Sequence, residues 1–210
     1  MVTITIPKGR ETAEKTLNPM LGIVGGLSVL GTTGIVEPMS EKALIDTITV
    51  DIRRHRAQGE DILVMAPGNY GLDYLKPACD IHSEQVIKIS NFVGDSIDLA
   101  VCKGASGIVL AGHIGKLIKV AGGIMNTHSH QADARMEILT AYAAVAGADG
   151  ETLRLVMKAV TTDAGMEILQ RCGLLSETMQ LILGKIQAHV QKRAGGRVET
   201  VIIIFSNVYG

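Results

Sequence analysis

Residues 61–66, DILVMA, hold an unbroken apolar run after one aspartate, and Pro67, Gly68 and Asn69 close it. A strand with one wet face alternates polar and apolar residues. An unbroken run bounded by turn residues fits a strand buried on both faces. Such strands belong mainly to parallel sheets, whose neighbours are joined by long crossovers, usually helical. The sequence supplies both parts. Further strand candidates lie at 86–90 (VIKIS), 106–111 (SGIVLA) and 198–205 (VETVIIIF). Ser40 offers an N-cap for a helix running to about Arg56, with Gly59 as its stop. Residues 91–104 read as helix, and another begins within 112–119. Beyond residue 130 helical spacing dominates: Ile138, Leu139, Tyr142, Val145 and Ala146; Leu153, Val156, Met157 and Val160; Met179, Ile182, Leu183, Ile186 and Val190. The expected class is α/β: an open, mostly parallel, Rossmann-like sheet with flanking helices and a helix-rich second half. Val2–Ile6 alternates as a short strand, followed by one or two helical turns over 8–17. Residues 1–18 are expected to be a linker or the end of a preceding domain, and 19–210 the α/β domain.

Composition narrows the function classes. The chain has 210 residues, 47% hydrophobic, with a formal net charge of -1. No charge bias favours nucleic acid or an anionic membrane. No apolar run reaches the ~18 residues of a membrane helix, and no secretory signal pattern opens the chain. Cys79, Cys102 and Cys172 are widely spaced and have no adjacent cationic cluster, so they read as structural thiols in a reducing cytoplasm. With no Trp and two Phe, the core must be aliphatic. The run Arg53-Arg54-His55-Arg56 reads as a solvated helix face, with His55 and His189 as surface residues.

Ligands of open α/β sheets sit at the carboxyl ends of strands. Parallel strands would bring three polar-glycine segments to one sheet edge. The first is GIVGGLSVLGTTG, residues 22–34. Gly25, Gly26, Gly31 and Gly34 leave its backbone without Cβ atoms, while Thr32 and Thr33 offer hydroxyls. It is neither a Walker loop nor a clean GxGxxG motif, and serves either as a cofactor cradle or as a set of tight turns. The second is Gly68-Asn69-Tyr70-Gly71, either a binding loop with an amide and a stacking ring or a plain βα turn. The third is Gly112-His113-Ile114-Gly115-Lys116. A polar cluster follows at 126–135, NTHSHQADAR. His128 and His130 could move a proton or hold carboxylates; two histidines without a nearby cysteine are too few for a closed metal site. Asp133 is placed to N-cap the next helix. A polar connection with a helix cap is the alternative reading.

Three stretches carry a resemblance: NPMLGIVGGLSVLGTTGIVEPMSEKAL, MAPGNYG and AGHIGKLIKVAGGIMNTHSHQADARMEIL. They are similar to the CbiD family, the cobalt-precorrin-5B C(1)-methyltransferases of anaerobic cobalamin biosynthesis. Family members are longer, and VTITIPKGRETAEKTLNP resembles their junction into the second half. The resemblance implies methyl transfer from S-adenosyl-L-methionine to C-1 of a cobalt-precorrin. Gly25, Gly26, Gly31, Thr32, Thr33, Gly34, Gly68, Asn69, Tyr70 and Gly71 would then hold the cofactor. Lys116, Lys119, Asn126, Thr127 and Arg135 would meet the substrate and its carboxylates. His113, His128 and His130 are the candidate bases, with Asp133 as an orienting group. Cobalt would belong to the substrate, so no protein-bound metal is expected. A separate N-terminal half and a homo-oligomer are the possible partners. Two rivals stand beside the enzyme: a non-catalytic cofactor- or tetrapyrrole-binding module, and a nicotinamide oxidoreductase. The missing GxGxxG weighs against the latter.

Overall fold

The computed structural model describes residues 3, 5–16, 18–19, 22–28, 40–68, 74–76 and 79–209. Two compact units, Met1–Ser40 and Glu41–Gly210, divide the chain. In the first, α1 (Gly9–Ala13) supplies the expected helical turn. Thr3, Thr5 and Ile6 are not in a strand, and Val2 and Ile4 lie outside the described residues. Gly25 has φ +84°, so the turn there needs glycine for its backbone. A Cβ at Gly25 or Gly26 would meet nothing within 4 Å.

The second unit opens with α2 (Glu41–Ala57). It continues through β1 (Ile62–Ala66), β2 (Val86–Lys88), α3 (Val93–Cys102), β3 (Gly107–His113) and α4 (Ile114–Ala121). Four helices follow: α5 (Arg135–Val145), α6 (Gly150–Met157), α7 (Thr162–Arg171) and α8 (Leu175–Ala194). β4 (Glu199–Phe205) comes last. All strand pairs are parallel, and the sheet order is β2-β1-β3-β4. The α/β class and the helix-rich second half are as expected.

Period-two alternation divides the strand residues between two faces. Leu63, Met65, Ile87, Ile108 and Leu110 join the large core, which Ile48 and Ile52 of α2, Ile97 of α3, Leu117 of α4 and Ile182, Ile186 and Val190 of α8 complete. Burial of this many branched side chains is the main term favouring the fold. The opposite face carries a smaller cluster of Ala66, Leu75, Val86 and Ala111, with Val64, Ile81 and Ile203 against it. β1 was expected to be buried on both faces. Ile62 is instead 58% exposed, because the second layer covers only one end of the sheet.

Two surface expectations are corrected. His55 is fully buried rather than solvated. Its Nε2 lies 2.7 Å from an Arg54 amino group, and its Nδ1 lies 2.8 Å from Glu60 Oε2. Arginine can only donate, so Nε2 accepts and the ring proton sits on Nδ1, toward Glu60. Arg56 donates to the Glu60 carbonyl at 2.8 Å and pairs with Asp61. The basic run is therefore a bracket that fixes the end of α2 to the start of β1. The three cysteines are exposed, so none is a packing residue of the core.

Gly112 sets the spacing at the end of β3. A Cβ there would lie 3.0 Å from Pro67 Cγ and 3.1 Å from Leu117 Cγ. Gly112→Val is expected to destabilise the protein by ~1–3 kcal/mol through overpacking. Gly184 of α8 has nothing within 4 Å of its Cβ position, so Gly184→Ala should stabilise by up to ~1 kcal/mol through helix propensity. Urea denaturation of both variants checks the pair.

Candidate active site at the strand-order reversal

β1 hands the chain to β2 on one side, and β2 returns it past β1 to β3 on the other. The loops leaving β1 and β3 therefore diverge and open a crevice between the carboxyl ends of adjacent strands. Gly68 follows β1 and has φ +83°; a Cβ on it would lie 3.2 Å from Lys116 Nζ. Glycine thus lets the β1 loop lie directly against the lysine at the start of α4. Gly68 of the second expected segment and Lys116 of the third meet at this point.

A cleft of about 360 Å³ lies here, lined by Asn91, Gly115, Lys116, Lys119, Thr127, His128, Ser129, Asp133 and Arg135. Its far wall is the polar loop before α5. That loop is pinned by Gly94 N–H donating to the Met125 carbonyl at 3.0 Å and by Thr127 N–H donating to the Asn91 carbonyl at 2.9 Å. Lys119, only 4% exposed, donates to the carbonyls of Thr127 at 3.2 Å and Ala132 at 2.8 Å. One buried ammonium thus clasps both ends of the segment carrying His128 and His130. Lys116 donates to Asn91 Oδ1 at 2.9 Å.

The cleft walls carry three cations and one carboxylate. Asp133 is engaged by Arg135 at 2.6 and 2.8 Å. That hydrogen bonding, outweighing a small burial cost, holds the Asp133 carboxyl below its ordinary range and raises the Arg135 guanidinium. Burial pushes the Lys116 ammonium down, and the charge of Lys119 adds to the effect. Burial also lowers Lys119; Asp133 opposes that shift and Arg135 reinforces it. The local field is cationic and suits an anionic ligand.

His113 caps α4, its Nδ1 accepting from Gly115 N–H at 3.0 Å. Its ring stands edge-on to Phe205, 5.8 Å between centroids, and Phe205 stacks on Tyr74 at 4.5 Å. His128 Nδ1 accepts from His130 N–H at 3.1 Å, and the two exposed rings meet edge to face. Asn126 Oδ1 accepts from His128 N–H at 3.1 Å and so shapes the loop's turn.

Lys116, Lys119, Thr127, His128, Asp133 and Arg135 thus come together as expected, with Gly68 beneath Lys116. His113 lies behind the α4 cap, and His130 and Asn126 lie outside the cleft lining. Gly31, Thr32, Thr33, Gly34, Asn69, Tyr70 and Gly71 fall outside the described residues, while Gly25 and Gly26 belong to the first unit. Asp133 does not cap α5: the cap position is Ala134, without a side-chain bond, because the carboxylate is taken by Arg135. Sequence reasoning missed Asn91, Ser129 and the Tyr74–Phe205 stack. Asn91 lies three residues beyond β2, so the same strand-end logic could have found it. Among the described residues no group of three or more His, Cys, Asp and Glu could hold a metal ion. None of their helices is long and apolar enough to cross a membrane.

Two outcomes test this electrostatic arrangement. Lys119→Met keeps the apolar stem but leaves two carbonyls without their donor. Faster amide exchange across 127–132, with the strands unchanged, is the expected result. Lys116 is charged in the unfolded chain up to the ordinary lysine range but loses its proton earlier when folded. Between those two points the unfolded state binds more protons, so this residue's contribution to stability rises with pH. Its burial cost applies in full below the native pKa. Lys116→Met should therefore abolish a rising component of the stability–pH curve on the alkaline side, measured by urea denaturation.

Comparison with known proteins identifies the family. The family model described as CbiD, C-terminal domain, matches residues 126–209, and that described as CbiD matches 1–38. A relative from Ruminiclostridium cellulolyticum is 44% identical over 99% of this chain and 54% of its own length. One from Methanocaldococcus jannaschii is 44% identical over 97% of this chain and 56% of its own. One from Thermoanaerobacter is 46% identical over 88% of this chain and 50% of its own. Each of these relatives is named cobalt-precorrin-5B C(1)-methyltransferase. No solved structure matches. The chain spans about half the length of the curated relatives it matches. At this identity, sustained along nearly all of its residues, the chain belongs to the CbiD family.

Proposed function

We propose that residues 19–210 form the donor- and substrate-binding part of a cytoplasmic methyltransferase. It moves a methyl group from S-adenosylmethionine to C-1 of a cobalt-precorrin. The observation that carries this reading is the cationic cleft at the strand-order reversal of a chain from this family. The cleft volume of about 360 Å³ lies within the range of small-molecule sites. Gly68 leaves bare backbone beside it, which fits the close approach of an extended donor. S-adenosylmethionine supplies an activated sulfonium methyl. In the transfer the S–CH3 bond would break with its electrons remaining on sulfur, C-1 would supply the pair for the new C–C bond, and the macrocycle would shed a proton to restore its charge.

The chain's own residues have a limited task in this chemistry. Lys116, Lys119 and Arg135, with Asn126 and Thr127 shaping the loop, receive the acid side chains of the macrocycle. Of the expected bases His113, His128, His130 and Asp133, His128 and Asp133 line the cleft, where they orient the macrocycle, and the released proton passes to water. Alignment of donor and acceptor supplies much of the rate. The part of the family's polypeptide outside the matched stretch would complete the enzyme. Without it the chain acts as a binding module.

Calorimetric titration tests the reading. Saturable binding of S-adenosylhomocysteine, with none of NAD, is expected; a folded chain that binds neither overturns the donor assignment. A cobalt corrin with free carboxylates should bind more weakly to Lys116→Met and Arg135→Met by roughly tenfold each, the scale of a lost charge-assisted hydrogen bond. Its fully amidated counterpart should show no such difference.

A further inference from the structure

Among the described residues, the face of the sheet opposite the large core is covered at one end only. Val64, Val109 and Val201 stand side by side in register across β1, β3 and β4. Strand alternation puts Ile62 and Ile203 on the same face. Ile62 leans over Gly107, whose Cβ would meet it at 3.2 Å. Ile62 is 58% and Val201 54% exposed, and Val64, Val109 and Ile203 are half-buried. Parallel sheets seldom leave a branched apolar face to water.

The edge of the sheet adds a second, separate observation. β4 pairs with β3 on one side and has no paired strand on the other among the described residues. Its sequence, ETVIIIF, is a long apolar strand of the type that soluble proteins cover or blunt at an edge. Around that edge, Ile204 lines a groove of about 250 Å³ with Met179 and Leu183 of α8. Apolar surface thus continues from the open face, around β4, to the helical side.

We propose that this surface docks the part of the CbiD polypeptide that lies outside the stretch matched here. Relatives 42–46% identical to this chain carry nearly as much length beyond the match as within it. That length is the occupant. It places an apolar element over the Val64–Val109–Val201 row and closes the β4 edge, completing the two-sided burial that a parallel sheet requires. Glu199, exposed at the start of β4, marks the polar rim. The inference rests on the family assignment and not on the methyl-transfer reading, and its test measures no activity.

The test compares thiol accessibility in this chain and in a longer relative. In this chain Cys79, Cys102 and Cys172 are replaced by Ser, and Val201→Cys supplies one thiol on the exposed face. Val160→Cys, at a position 85% exposed in the connection between α6 and α7, is the control. The same two positions are changed in the full-length relative from Ruminiclostridium cellulolyticum, in a background without other thiols. Maleimide labelling should be equally fast at both positions here. In the full-length relative it should slow at least tenfold at the Val201 position and stay fast at the control. Equal, fast labelling at both positions of the full-length relative overturns the proposal. Slow labelling at Val201 in this chain also overturns it. Sedimentation then identifies the cover as a second copy if the slowing depends on concentration, or as the chain itself if it does not.

Discussion

A parallel strand cannot hand the chain to its neighbour through a tight turn; the chain must first travel back along the sheet. Every strand therefore exits at the same edge. In the order β2-β1-β3-β4 the exits of β1 and β3 run apart while the strands themselves stay side by side. The site follows from that divergence. Gly68 comes from the end of β1, Asn91 from just beyond β2, and Lys116 from the turn after β3. Gly112 lets the end of β3 pack close to Pro67 and Leu117, which crowd the place of a Cβ. The polar loop is the exception, since no strand delivers it. It is brought in by the bridge between Phe92 and Asn126 and by the bonds of Met125 and Thr127 to the 91–94 segment.

Charge in the cleft is held, not neutralised. Lys119 is surrounded by carbonyl oxygens rather than by a carboxylate, and Lys116 leans on an amide oxygen. The one carboxylate nearby is bound to Arg135. Burial lowers both ammonium groups, Lys116 from a half-buried position and Lys119 against the opposing charge of Asp133. An arriving carboxylate reverses that shift, because an opposite charge at short range favours the protonated form. Ligand binding and lysine protonation are thereby linked. A bound anion offsets that burial cost, and a neutral or cationic group leaves it standing.

Much of this was legible in the sequence, for identifiable reasons. The apolar runs at 61–66, 106–111 and 198–205 announced a parallel sheet, and their polar-glycine exits pointed to the edge that carries the candidate cleft. Two kinds of feature stayed hidden. One depends on contacts distant in sequence: the Tyr74–Phe205 stack, and the pairing of Lys116 with Asn91, 25 residues away. The other depends on competition between local options. Asp133 had the right chemistry and position to cap α5, but Arg135 two residues on offered a stronger, charged partner. His55 looked solvated within a basic run, yet Glu60 across the turn gave its ring a reason to be buried. Polarity reports what a side chain can bond, not whether that partner is water.

The histidines show how far geometry constrains chemistry. Nδ1 of His113 is occupied by Gly115 N–H, and Nδ1 of His128 by His130 N–H. A nitrogen that accepts a hydrogen bond carries no proton, so the neutral rings hold theirs on Nε2. Both imidazoles then present a donor at Nε2, not a lone pair. Taking up a second proton at Nδ1 would break the α4 cap in one case and the loop turn in the other. These rings are arranged to hold and orient, a role that suits transfer of an already activated methyl group. Such a reaction gains more from alignment and exclusion of water than from a strong base. Among the described residues the cleft sets three cations beside one carboxylate that is already tied to Arg135, an arrangement that fits the holding of an acidic ligand.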